Sequence, residues 1–224
     1  GNDAGIVLDD VEPKKVAQQL FDSAFQNSGQ VCIAMKRLYV HDSIYDEVVD
    51  ELATIANDTI IGDGLEQGTK LGPLQNKMQY EKVKELIESA RQDGNIVAGG
   101  EVPDQSGYFI RPTIVRDVAE GSRIVDEEQF GPVLPVIRFS DEGDAIARAN
   151  NSDYGLGGSV WSSDLDRAYD VANQMNTGTV WINKHAELDP GIPFGGSKQS
   201  GLGNELGMEG LKEFTQLKMI NMAR

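Results

Sequence analysis

The sequence predicts an α/β fold, a mostly parallel twisted sheet with flanking helices. Three observations predict it. Apolar runs of strand length alternate with helical patterns, the signature of successive βαβ units. The 224 residues are 39% hydrophobic and 25% charged, an ordinary balance for a globular chain able to bury a sizeable core. No repeat or low-complexity linker interrupts the alternation, so residues 1–224 read as one domain.

Ile6-Val7-Leu8, bounded by Gly5 and Asp9-Asp10, reads as a buried strand. Opening so close to a core strand, without a leading Met, the chain is expected to be a piece of something longer. A helix follows. Val16, Leu20 and Ala24, beside Ala17, Phe21 and Phe25, form one broad apolar face. Pro13 is tolerated in its first turn, and Asn27-Ser28-Gly29 is a stop signal. Lys36 to Val40 reads as the second strand.

The pattern predicts helices over Ser43 to about Asn57 and over Lys77 to Asp93, the latter ended by Gly94. Ile96-Val97-Ala98 is a short strand. Phe109 to Val115 is extended, with Pro112 arguing for an edge or a bulge. Strands at Val133–Phe139, Gly157–Trp161 and Thr179–Ile182 alternate with helices at Asp141–Asn150 and Asp164–Met175. A short helix at Gly207–Phe214 and a last strand at Leu217–Met222 complete the series.

Composition excludes whole classes of function. Twenty basic against 36 acidic residues give a net charge of −16, which repels a phosphate backbone, so no nucleic-acid partner is expected. No run approaches the ~18 apolar residues of a membrane span, and no basic-then-apolar signal segment opens the chain. The single cysteine cannot form an internal disulfide, so a reducing, cytoplasmic setting is the expectation.

Few residues carry chemistry. Cys32, the only thiol, lies where a helix end and a glycine lead into a strand, the kind of loop that holds active sites in α/β sheets. A lone thiol without context is more often a small buried hydrophobe. Neither His41 nor His185 is near it in sequence, so no Cys-His pair is supported. One Cys and two His argue against a zinc site. Glu127-Glu128, before Phe130-Gly131-Pro132-Val133, read either as a solvated acidic loop or as carboxylates able to accept hydrogen bonds from a sugar diol. The glycine-rich Pro193–Gly203 loop allows close backbone approach, but it lacks the Gly-x-x-x-x-Gly-Lys-[Ser/Thr] order of a phosphate loop.

Six segments, in order, resemble the aldehyde dehydrogenase superfamily over essentially the whole chain. They are Gly1–Asp10, Phe25-Gln26-Asn27-Ser28-Gly29-Gln30-Val31-Cys32, Gly72-Pro73-Leu74, Gly107–Thr113, Glu127–Val133 and Pro193–Gly201. The first resembles the stretch after the family's Glu-Leu-Gly-Gly motif, and the second its nucleophile motif. The resemblance implies the catalytic domain of an NAD- or NADP-dependent enzyme acting on a small-molecule aldehyde. Cys32 is then the nucleophile. In the family its thiolate adds to the aldehyde to give a thiohemiacetal, hydride passes to nicotinamide, and water cleaves the resulting thioester to the acid. The oxyanion needs preorganised donors, and the Cys32 backbone N–H is one candidate.

By the same resemblance Glu128 binds the nicotinamide ribose and Phe130 lies beside the nicotinamide ring. Val31, Ile33, Phe194 and Leu188 line the substrate pocket, Leu188 within the Lys184–Leu188 loop. Glu205 matches a glutamate implicated in proton relay, with Asn204 before it where many members carry Arg. The family's general base would precede Gly1, and the Asn of its oxyanion hole and the cofactor-binding domain lie further upstream. The isolated chain is therefore expected to be nearly inactive. Residues 215–224 correspond to a C-terminal strand that pairs during assembly of a homodimer or homotetramer. Two alternatives stand beside this reading. One is the CoA-acylating branch, in which a thiol accepts the acyl group. The other is a non-enzymatic binding or structural relative, of the kind that serves as a crystallin or scaffold.

Overall fold

A computed structural model describes residues 1–224. Along the chain run β1 (Asp3–Val7), α1 (Pro13–Phe25), β2 (Met35–His41), α2 (Tyr45–Asp58), α3 (Lys77–Asp93), β3 (Asn95–Ala98), β4 (Thr113–Arg116) and the one-turn α4 (Arg123–Asp126). Then come β5 (Val133–Phe139), α5 (Glu142–Asn150), β6 (Tyr154–Gly155), β7 (Gly157–Trp161), α6 (Leu165–Ala172), β8 (Thr179–Ile182), the two-residue strands β9 (Phe194–Gly195), β10 (Ser197–Lys198) and β11 (Asn204–Glu205), and α7 (Gly207–Glu213).

Seven strands form one sheet in the order β3-β4-β5-β2-β1-β7-β8. Every neighbouring pair is parallel except β3 with β4. Parallel strands are covered on both faces and so read as continuous apolar runs. All five residues of β1 are buried. Alternate side chains feed two cores. Ala4, Ile6, Leu8 and Tyr39 pack with α3, α5 and α6, and Val7, Leu38, Val40 and Trp161 with α1 and α2. No helix is long and apolar enough to cross a membrane.

Local chemistry sets the helix starts. Asn76 accepts a hydrogen bond from the Gln79 N–H at 2.9 Å, and Asp141 from Asp144 at 2.8 Å, satisfying donors that a helix N-terminus leaves open. Asp10, just beyond β1, ties the sheet to the start of α6. Its Oδ2 accepts from the hydroxyls of Ser162 (2.8 Å) and Ser163 (2.7 Å) and from the N–H groups of Ser163 (3.0 Å) and Asp164 (2.9 Å).

The structure departs from the sequence expectations at three places. Residues 217–222 form no strand. Leu217 is 98% and Ile220 83% exposed, and a strand needs a neighbouring ladder that this chain does not offer there. Pro112 neither edges nor bulges a strand. It precedes β4, which starts at Thr113 and lies inside the sheet. Gly94 ends α3 in extended conformation (φ −159°) rather than left-handed. It is needed for proximity, since a Cβ there would stand 2.7 Å from the Arg116 carbonyl oxygen. The strand expected over Val133–Phe139 forms with those bounds as β5, and it carries Pro135 inside the sheet. It does so where pairing passes from β4, opposite Val133–Pro135, to β2, opposite Val136–Phe139.

Candidate active site

Helix α1 ends in a turn without regular helical geometry. Asn27, Ser28 and Gly29 all take left-handed backbone conformations, with φ of 52°, 57° and 73°. Three such residues in succession reverse the chain tightly, and the sequence then rises through Val31 and Cys32 into β2. The turn is fastened from outside. Ser28 Oγ donates to the Gly72 carbonyl (2.8 Å), and Gln30 Oε1 accepts from the Gln75 N–H (2.8 Å). The Gly72-Pro73-Leu74 segment is thus the bracket of the Cys32 turn. Ala34 N–H closes the turn onto the Val31 carbonyl at 3.0 Å. Cys32 is exposed, whereas Ile33 is buried and Val31 half-buried. The Cys32 backbone N–H makes no hydrogen bond within the chain.

A second loop faces this turn. Phe130 is half-buried and held at φ 49°, a conformation that costs a bulky residue free energy and marks functional loops. Gln79 Nε2 holds the loop by donating to the carbonyls of Gln129 (2.7 Å) and Phe130 (3.0 Å), and Lys82 Nζ by donating to that of Glu128 (2.8 Å). Structure separates the two glutamates. Glu127 is bound to Arg123 (2.6 Å), whose hydrogen bond holds its carboxyl below the usual range. The Glu128 carboxylate, 27% exposed, lines a polar cavity of about 700 Å³ with Asn2, Arg37 and Lys82. Gly1 abuts the Cys32 carbonyl.

Lys36 joins the two loops. It is fully buried and donates to the carbonyls of Ala24 (2.9 Å), at the end of α1, and Gly131 (2.8 Å), after Phe130. Burial without a bonded carboxylate drives its amine down to about 7. Its neighbour Arg37 donates to the carbonyls of Asn2 (2.9 Å) and Ala149 (3.1 Å). Two basic residues inside an apolar strand were the sequence signal for this pair, and sequence reasoning passed over it.

The remaining expected residues lie elsewhere. Phe194, half-buried, and Glu205, exposed, pair across the β9–β11 ribbon. Leu188 is 49% exposed on the loop between them and β8. No hydrogen bond or ion pair links the Cys32 side chain to Glu205. His185, unsupported by sequence, does approach the turn. Its side chain is fully buried, with Nε2 2.8 Å from the Ile33 carbonyl oxygen and 3.8 Å from Asp3 Oδ2. Burial pushes the His185 imidazole down to about 4 and the Asp3 carboxyl up to about 7.

Comparison with known proteins shows the family. The model of the aldehyde dehydrogenase family matches residues 1–220. Phenylacetaldehyde dehydrogenase of Pseudomonas fluorescens is 40% identical over 226 residues, covering 100% of this chain and 45% of the relative. The NADP(+) succinate-semialdehyde dehydrogenase of Deinococcus radiodurans is 42% identical, covering 98% of this chain and 46% of its own. The NAD+ complex of a Bacillus cereus aldehyde dehydrogenase superposes with a TM-score of 0.94 at 41% identity, over 97% of this chain and 45% of the other. The chain therefore spans slightly under half the length of these relatives. With the family model matched over nearly every residue, the chain belongs to the aldehyde dehydrogenase family.

Proposed function

We propose that this chain is the catalytic domain of an NAD(P)-dependent aldehyde dehydrogenase that oxidises an aldehyde to a carboxylic acid. The observation that carries the reading is the Cys32 turn. It presents an exposed thiol beside a backbone N–H with no acceptor of its own. The thiolate adds to the aldehyde carbon, forming a C–S bond and placing the carbonyl electron pair on oxygen. The unengaged Cys32 N–H is one donor for that oxyanion. Loss of hydride from the same carbon leaves a thioester on Cys32, and water releases the acid and returns the thiol.

The loop residues fit a nicotinamide cofactor. Glu128 offers a partly exposed carboxylate at the wall of a polar cavity, suited to a ribose diol. Phe130 offers a half-buried ring on a backbone braced by Gln79. NAD(P), when bound, supplies the acceptor for the hydride. Val31, Ile33, Phe194 and Leu188 are assigned to the substrate pocket and Glu205 to proton relay. The apolar, exposed 215–224 segment is assigned to pairing with another subunit, consistent with Leu217, Met219, Ile220 and Met222 lying open to solvent.

The test uses the longest reading frame that carries residues 1–224. That protein is expected to form NADH or NADPH from an aldehyde, with Cys32→Ser lowering kcat at least about a thousandfold. Undiminished turnover by Cys32→Ser would overturn the nucleophile assignment. Strict dependence on CoA would move the protein to the acylating branch.

A further inference from the structure

The Cys32 turn has two sides, fastened differently. On the approach side, Ser28 and Gln30 bind the Gly72–Gln75 segment. On the departure side, the one side chain that hydrogen-bonds the Ile33 backbone is His185, and it comes from the far end of the chain.

The loop that delivers His185 is tightly built. Asn183, at φ 54°, clamps the end of β7 in both directions. Its Oδ1 accepts from the Ser162 N–H (2.9 Å), and its Nδ2 donates to the Ser162 carbonyl (2.8 Å). Trp181 Nε1 donates to the Glu187 carbonyl at 2.8 Å, closing the loop over the His185 ring, whose centroid is 5.1 Å from the indole. Ala186 follows His185 in left-handed conformation (φ 57°). The side chain of His185 is wholly buried.

The ring's hydrogen-bonding state follows from its neighbours. A carbonyl oxygen only accepts, so the nitrogen facing Ile33 carries the hydrogen. A neutral ring then bears a lone pair on Nδ1, which is buried and has no partner. An imidazole driven down to about 4 is neutral at pH 7.

We propose that His185 is a positioning residue for the nucleophile turn, holding the Ile33 carbonyl through Nε2–H so that Cys32 is presented in one orientation. The proposal rests on the reading of Cys32 as nucleophile. Its side chain acts on backbone, not on the thiol, and the loop that carries it thereby links the pocket wall to the nucleophile.

Two variants separate this role from simple filling of space. His185→Gln keeps a donor close to the position of Nε2 but loses the ring. His185→Phe keeps the ring against Trp181 but loses the donor. In the 224-residue chain, hydrogen exchange of the Ala34 amide reads the turn, because that N–H closes it onto Val31. Protection at Ala34 is expected to stay within about threefold in His185→Gln and to fall at least tenfold in His185→Phe, with α3 unchanged in both. The reverse order, or equal effects, would overturn the proposal. Should either variant fail to fold, the long-range 1H–15N correlation spectrum of the unsubstituted chain decides. A neutral ring protonated on Nε2 at pH 7 supports the role, and an Nδ1-protonated ring or an imidazolium refutes it. The exchange experiment reports on the turn whatever Cys32 does, so its failure is distinct from the retained turnover of Cys32→Ser that would sink the parent reading.

Discussion

Gly29 and Lys36 meet across the space a side chain would occupy: a Cβ on Gly29 would stand 2.4 Å from Lys36 Nζ and 2.2 Å from the Gly131 carbonyl oxygen. The backbone of the Cys32 turn and the end of the Phe130 loop are therefore packed directly on one buried amine.

Gly29→Ala is expected to destabilise the chain by about 2–4 kcal/mol, combining left-handed strain with overpacking. Urea unfolding checks it. A loss under about 0.5 kcal/mol would mean that the two loops part at little cost.

Lys36→Met gives a prediction with a pH window. The folded state holds the amine near 7 against an ordinary 10.5, so between these values the unfolded chain binds more protons and stability rises with pH. The variant lacks that rise and leaves the Ala24 and Gly131 carbonyls without their donor, at about 1–3 kcal/mol each. Its deficit against the parent is expected to be smallest below pH 7 and to widen up to about pH 10. Parallel curves of Tm against pH would contradict the assignment.

Phe130→Gly separates stability from function. Relief of the left-handed strain offsets lost burial, so the cost is expected to be below about 1 kcal/mol, against the 3–5 kcal/mol typical of truncating a core aromatic. In the longest reading frame, the KM for NAD(P) is expected to rise at least tenfold. A large loss of stability with an unchanged KM would assign Phe130 to packing alone.

Asp10→Asn tests the tie between β1 and α6. Burial works to raise the Asp10 carboxyl but is outweighed by hydrogen bonds from Ser163, Ser162 and the Asp164 N–H, which hold it below the usual range. The stability it contributes is present above pH 4 and is lost as pH falls through the depressed value. Acid titration of Tm is expected to be shallower in the variant. An identical acid profile would show that the carboxylate charge adds nothing.

Much of this architecture was legible because local chemistry agreed with the fold. Lys77–Asp93 is a helix with the expected bounds, since Asn76 caps its start and Gly94 must approach Arg116 at its end. β7 and β8 also fall where the apolar runs place them. The Leu217–Met222 pattern resembles a strand, but pattern cannot supply a pairing partner. The turn that carries Cys32 was legible in part, from the Asn27-Ser28-Gly29 stop signal. The bond from His185 to Ile33 was not, because it spans 152 positions and leaves no periodic trace. Spacing likewise could not distinguish Glu127 from Glu128, because what separates them is Arg123, which binds the first across one helical turn.

The position of β1 between β2 and β7 constrains how the molecule is born. Asp3 accepts from the N–H of Gly157, 154 residues later in the chain, whereas β2 follows β1 after a single helix. At a synthesis rate of ~5–20 residues per second, roughly 8–30 s separate the two from the ribosome. Throughout that interval one flank of β1 stays bare in the nascent chain, an adhesive edge that falls to chaperones or to the ribosome surface to shield.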